Sequence, residues 1–159
     1  MIIGIMSDSH DNLPAIEKAV TLFNDQAVEA VIHAGDFVAP FAFSILAKLN
    51  VPLFGIFGNN DGEREGLLKV AAAVGELHDP PAVFHRAGIP ILVIHDLERL
   101  PESERDGYRV IIYGHNHQYR IDEGEPMMIN PGETCGWLTG RGTVALLDTD
   151  TMKAEIHYL

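Results

Sequence analysis

The first six residues, MIIGIM, form an unbroken apolar run. A run with no alternation reads as a strand buried on both faces, and such strands occur where helices or a second sheet cover both sides. AVIHAGD (30–36) reads as a second strand and its loop, and PLFGIF (52–57) as a third strand. Helical patterns separate them. Asn12 is placed to cap a helix, and Pro14 fits its first turn. Leu13, Ile16, Val20, Phe23 and Ala27 then recur at helical spacing, which predicts a helix over roughly 13–26. PFAFSILAKLN (40–50) predicts a second helix, and EREGLLKVAAAV (63–74) a third that ends near Gly75. This βαβαβα order argues for a mostly parallel sheet with helices packed on it.

The second half changes character. AVFHRAG (82–88) and IPILVIH (89–95) predict a hairpin around Ala87-Gly88. The polar stretch 96–108 has room for a short helix at most. RVIIYG (109–114) reads as a strand, while QYRID (118–122) with PMMIN (126–130), and TVALLDTD (143–150) with MKAEIHYL (152–159), read as hairpins. No repeat, low-complexity segment or long linker divides the 159 residues, so one domain over 1–159 is expected, large enough for a real core.

Composition narrows the partners. The net charge is −12, and the eleven basic residues are scattered, so long nucleic acid is not an expected partner. A chain this acidic would need positive charge from elsewhere to handle phosphate; metal ions could supply it, and eight histidines leave that open. No stretch approaches the roughly 18 apolar residues of a membrane span. MIIGIM is too short for a signal peptide's apolar region and meets Asp8 at once. The single cysteine, Cys135, has no internal disulfide partner, which fits a reducing cytoplasm.

One pattern carries chemistry. Each apolar strand ends in a loop that opens with groups able to bind a metal: SDSH gives Asp8 and His10, HAGD gives Asp36, GNND gives Asn59, IPILVIH gives His95, and GHNH gives His115 and His117. In open α/β sheets ligands gather beyond the carboxyl ends of the strands, so these loops are expected on one side. Each piece has a plainer reading. DSHD is also a turn with a helix cap, Gly35-Asp36 is ordinary turn chemistry, Asn59 alone is a turn residue, and His95 alone is a hydrogen-bonded core histidine. GHNH is stronger, because two histidines two apart project the same way from an extended loop. Seven oxygen or imidazole donors, each at a strand end, are hard to explain as separate turns.

In order and at comparable spacing, Asp8-x-His10, Gly35-Asp36, Gly58-Asn59, His95 and Gly114-His115-x-His117 resemble the signature of the calcineurin-like metallophosphoesterases. The resemblance spans essentially the whole chain and is closest to the small YfcE-type and archaeal phosphodiesterases. NPGE (130–133) with its small-residue loop resembles the NPGS-like turn of that group. The resemblance implies an α/β fold, a four-layer α/β/β/α sandwich. It also implies two divalent metal ions. Asp8, His10 and His117 would hold the first, Asn59, His95 and His115 the second, with Asp36 between them and a bridging hydroxide as nucleophile for phosphodiester hydrolysis. Manganese, iron, nickel or zinc suits these donors better than calcium, because imidazole is abundant and thiolate absent. Two cations (+4), two carboxylates (−2) and a hydroxide (−1) leave the shell near +1, which attracts an anionic ester. A neutral Asn59 keeps that excess, where an aspartate would remove it.

Many members have histidine where this chain has Asn60. Asparagine donates a hydrogen bond but delivers no proton near pH 7, and losing a general acid costs about 10²–10⁴-fold. The loss falls mainly on poor leaving groups, so a small phosphodiester with an activated leaving group is the expected substrate. Asn60, His115 and Asp36 are the candidate catalytic residues; as a plain turn residue Asn60 would take no part. Asp96 stands where the family often has glycine, placed either to orient His95 or to crowd the substrate. Asp61 reads as a cap for the helix at 63. Asn12, Asn116 and Arg141, the last in the glycine-rich TGRG, are candidate substrate contacts, though loop structure alone would also account for them. His33, His78, His85 and His157 read as structural. The rival functions are a phosphomonoesterase or nucleotide phosphatase, and a catalytically weak scaffold such as the related retromer subunit. The resemblance allows a homodimer or homotetramer, but no heptad or exposed apolar stripe specifies either here.

Overall fold

A computed structural model of the chain describes residues 1–86 and 88–159. Strands β1 (Ile2–Met6), β2 (Ala30–His33), β3 (Leu53–Ile56) and β4 (Gly75–His78) lie parallel and in order. On the far side of β1, β10 (Thr143–Asp148) and β11 (Lys153–Tyr158) complete a six-stranded sheet as an antiparallel pair. A five-stranded sheet holds β5 (Ala82–Arg86), β6 (Ile89–Val93), β7 (Val110–Ile112), β9 (Met127–Asn130) and β8 (Arg120–Asp122) in that spatial order, with β6, β7 and β9 parallel.

The unbroken apolar runs are explained by what covers them. Ile3, Ile5, Ile32 and Ile56 of the first sheet meet Ile91, Val93, Val110 and Ile112 of the second in one buried layer. The opposite face, with Met6, Val31 and Leu53, is sealed by Ile16, Val20 and Phe23 of α1 (Leu13–Asp25), Phe43 and Leu46 of α2 (Phe43–Leu46), and Leu67 and Ala71 of α3 (Arg64–Ala71). Beyond the second sheet, Leu92, Ile94, Ile111 and Tyr113 pack under Leu97 and Leu100. That fourth layer is thin: two 3-10 turns, Leu97–Arg99 and Glu102–Glu104, stand there in place of longer helices. No helix among the described residues is long and apolar enough to cross a membrane.

Asn12 caps α1 as expected, its side chain accepting the Ala15 N–H. The helix expected over 40–50 is broken up. A 3-10 turn, Pro40–Ala42, runs into a single α-helical turn. Asn24 then captures the outgoing chain: its amide donates to the Lys48 carbonyl at 2.9 Å, and its oxygen accepts from Asn50 N at 3.0 Å. Gly75 does not merely end the third helix but opens β4, a strand unseen in the sequence because only Leu77 of its four residues is buried. Of the expected turn at Ala87-Gly88, Ala87 lies outside the described residues; β5 and β6 on either side pair antiparallel as anticipated.

Candidate metal centre

The loops after β1, β2, β3, β6 and β7 meet at one end of the two sheets, and their side chains build the site. Asp8 is buried. Its Oδ2 accepts from the Ser7 hydroxyl at 2.6 Å and from His115 N at 3.1 Å. Its Oδ1, like His10 Nε2, is a buried polar atom with no hydrogen-bond partner among the described residues. Such atoms are rare in folded proteins and call for an explanation. Both point into a shared space: Asp8 Oδ1 stands 3.8 Å from His10 Nε2 and 3.6 Å from His117 Nε2, and Asp36 Oδ2 stands 3.5 Å from His10 Nε2.

A second set adjoins the first. Asp36 Oδ2 lies 3.3 Å from His95 Nε2. The Asn59 side-chain oxygen is 3.0 Å from His95 Nε2 and 2.9 Å from His115 Nδ1. Ligands held about 2.0–2.2 Å from one cation lie roughly 3 Å apart, so these separations suit a coordination shell. The outer nitrogens fix which ring atom faces inward. His95 Nδ1 donates to the Ala34 carbonyl at 2.8 Å, and His117 Nδ1 donates to Glu133 Oε2 at 2.7 Å. With Nδ1 engaged on its far side, each ring turns Nε2 toward the shared space. All seven donors anticipated from the strand ends converge, and their chemistry fits a borderline divalent cation better than calcium. Asp8, Asp36 and His95 are buried, whereas Asn59 and His115 face solvent, so the site is dry at its floor and open on one side.

Local backbone explains the residue types. Asp8, His10, Asp36, His115 and His117, five of the seven donors, have positive φ between 39° and 72°. Non-glycine residues adopt this region rarely, at a cost of order 1–3 kcal/mol each, and mostly at functional sites. The glycines beside the donors serve close approach. A Cβ at Gly58 would overlap the Asp36 carboxylate, and one at Gly114 would overlap Ser7 Oγ and Asp8 Oδ2.

Electrostatics divides the two carboxylates. Burial pushes the Asp8 carboxyl above its ordinary pKa, against the nearby His95 charge and the Ser7 hydrogen bond. Burial acts on Asp36 too, but the hydrogen bond and charge of His95, with the donors of Asn60, outweigh it and hold Asp36 well below the usual range. His95 is raised: burial opposes its charge, and Asp36 and Asp8 together prevail.

Asn60 is turned toward the centre. Its backbone N donates to Asp36 Oδ1 at 2.8 Å and its side-chain amide to Asp36 Oδ2 at 2.7 Å, so it grips the carboxylate that lies between the two donor sets. Asp96 does not orient His95, because Ala34 already does. Asp96 instead caps the first 3-10 turn, accepting from Glu98 N at 3.1 Å, and pairs with Arg99 at 3.3 Å. The expected cap at Asp61 is likewise corrected, for Glu63 takes the cap position of α3. Asp61 is buried and accepts from Asp36 N, Gly58 N and Val38 N at 3.0, 2.7 and 2.7 Å, tying the second and third loops together.

Asn12 has both ends engaged within the protein, donating to the Cys135 carbonyl at 2.7 Å besides capping α1. Asn116 accepts from Gln118 N at 3.0 Å and from the Asn130 amide at 2.9 Å, and its loop borders a cavity of about 330 Å³ with His115 and Arg120. A second cavity, about 320 Å³, opens beside Asn59 and His95 and includes Arg64 and Arg99. Arg141 stacks 4.0 Å above the Tyr158 ring. His33, read as structural, is buried. Sequence reading missed Glu133 and Asp61 as supports of the site. Nothing at NPGE or NNDG but the acidic residue itself, beside a run of small ones, could have marked them.

The family model described as the calcineurin-like phosphoesterase superfamily domain matches residues 1–152. Over 156 residues the chain is 41% identical to phosphodiesterase MJ0936 of Methanocaldococcus jannaschii, covering 94% of each chain. A solved archaeal phosphodiesterase superposes with a TM-score of 0.92 at 39% identity over the whole of both chains. The Escherichia coli phosphoesterase YfcE superposes at 0.70 with 22% identity, over 94% of this chain and 90% of its own, a likeness of fold.

Proposed function

The chain belongs to the calcineurin-like phosphoesterase superfamily, and on that premise we propose that it is a cytoplasmic, metal-dependent phosphodiesterase with a dinuclear centre. One observation carries the two-cation reading. Asp36 Oδ2 stands 3.5 Å from His10 Nε2 on one side and 3.3 Å from His95 Nε2 on the other, within reach of both donor sets. Asp8, His10 and His117 would hold one cation and Asn59, His95 and His115 the other. When bound, the pair would supply a hydroxide nucleophile and polarise the phosphoryl oxygens, with manganese the cation we expect. The orphaned Asp8 Oδ1 and His10 Nε2 support such occupancy.

The chain's own residues set the selectivity. The open side, at Asn59 and His115, admits the ester, and the cavities on either side of Asp96 leave room for its two arms. Asn60 holds Asp36 and offers no proton to a leaving oxygen. Esters with good leaving groups are favoured, and a diester brings one negative charge where a monoester brings up to two. With manganese, bis-p-nitrophenyl phosphate should be cleaved faster than p-nitrophenyl phosphate. Faster cleavage of the monoester would favour a phosphomonoesterase, and no cleavage of either by protein loaded with metal would refute the enzyme reading.

A further inference from the structure

Glu133 is buried at the start of the loop after β9, and every group touching its carboxylate is a donor. Oε1 accepts from the backbone N–H groups of Leu138, at 2.9 Å, and Thr139. Oε2 accepts from His117 Nδ1 at 2.7 Å and the Cys135 thiol at 3.2 Å, with a weaker share of Leu138 N at 3.2 Å. The loop it gathers carries Trp137, whose indole N–H lies 3.4 Å from the His10 carbonyl. One carboxylate thus meets His117 directly and reaches His10 through the loop.

Resting on the cation site proposed above, we infer that Glu133 is a positioning residue that holds His117 in the tautomer able to bind metal. Of its nitrogen neighbours only His117 can answer a change at Glu133 by moving a proton, and the Cys135 thiol, a weak donor at 3.2 Å, can simply turn its S–H away. Backbone N–H groups must donate. An imidazole donates from Nδ1 only while the proton sits there, and that leaves the Nε2 lone pair facing Asp8 Oδ1, 3.6 Å away. Glu133→Gln separates this role from loop support. It keeps the volume and one acceptor oxygen, which stays with the Leu138 and Thr139 N–H groups. Its NH₂ then faces His117 Nδ1. Two donors cannot bond, so Nδ1 must accept, and the imidazole proton moves to Nε2, where it blocks the first site. Among the described residues the second donor set, Asn59, His95 and His115, makes no hydrogen bond to Glu133.

The test reads the tautomer first, in metal-free protein at about pH 8.5, by long-range ¹H–¹⁵N spectra of the histidine rings. Wild type should show His117 protonated at Nδ1 and the E133Q variant at Nε2. Manganese titration by calorimetry should then give two equivalents for wild type, and for E133Q a loss of about 10–100-fold at one site only. His117 protonated at Nε2 in the wild type overturns the inference whether or not the variant folds. So does an E133Q protein that keeps the Nδ1 tautomer, even if its melting temperature falls, since that is the mark of loop support alone. If wild type takes up no manganese the cation site itself fails, and the tautomer spectra still decide the part played by Glu133.

Discussion

Asn59 stands where a stronger ligand would fit. Its oxygen meets two imidazole nitrogens at 2.9 and 3.0 Å, and an aspartate would reach the same point with a full charge. The difference lies in the charge presented to the ester. An added negative charge about 4 Å from a bound anion costs between about 1 kcal/mol in water and 4 kcal/mol at the effective dielectric of a protein surface. Asn59→Asp should therefore keep its metal, yet raise KM for bis-p-nitrophenyl phosphate about tenfold or more. Equal KM values at saturating manganese would show that charge plays no part in the choice of an amide. A buried histidine gives a second prediction. His33 Nδ1 accepts the Gly35 N–H at 3.1 Å, so its Nε2–H donates to Ser9 Oγ at 3.0 Å, while the ring stacks on Phe37 with centroids 3.7 Å apart. No room remains for a second proton, and burial, with the charges of His95 and His10 and against that of Asp36, pushes its pKa down to about 3. The unfolded chain takes up that proton near pH 6.5. Stability from neutral His33 is thus complete above about 6.5 and falls by about 1.4 kcal/mol per pH unit toward 3. Between pH 7 and 5 metal-free wild type should lose about 2 kcal/mol more than His33→Asn by urea unfolding. Parallel pH profiles would count against it.

The elements were legible where hydrophobic pattern decided them and illegible where a single side chain did. β1, β2 and β3 show in the sequence because both faces are covered, and the hairpins of the second half show through their turns. β4 was hidden, since an edge strand with one buried residue has no pattern, and α2 was cut short by Asn24, a long-range partner that no local propensity reveals. The seven donors could be read because each follows an apolar run that stops abruptly. Their supports could not: Asp61 and Glu133 act through backbone N–H groups and one ring nitrogen, contacts set only when distant loops meet. The glycines join the two levels. Gly114 ends the stretch after β7 where the chain passes Ser7 and Asp8 with no space for a Cβ. Gly114→Ala must push this loop away from the β1 loop, carrying the His115 N–H off Asp8 Oδ2. The strain should cost about 1–3 kcal/mol, and manganese affinity should fall even though no ligand has been changed. Wild-type affinity in a folded G114A protein would mean that the two loops adjust independently.

For the whole molecule, the centre is a local deficit that the rest of the fold sustains. At one end of the sheets it gathers the buried carboxylates Asp8, Asp36, Asp61 and Glu133, in a chain whose net charge is already −12. Five donors with positive φ add backbone strain there. The folded chain tolerates this because the two apolar layers on either side of the six-stranded sheet extend well beyond the site. The cations proposed above would reverse the deficit, and only in the native state, since donors from residue 8 to residue 117 meet only after both sheets have formed. A ligand bound by the folded chain alone stabilises it by about 2.7 kcal/mol per site at one hundred times its dissociation constant. At roughly 2–4 °C per kcal/mol for a chain of this size, the two proposed sites would raise the melting temperature on the order of 10 °C or more. Protein stripped with chelator should melt correspondingly lower and recover on adding manganese. Asp36→Ala removes the carboxylate both donor sets share, so most of the increment should vanish in that variant. A melting temperature indifferent to chelator would mean that no cation stabilises the fold, and an equal manganese effect in D36A would place the stabilising cations elsewhere on the acidic surface; either result removes the physical basis for a centre between the sheets.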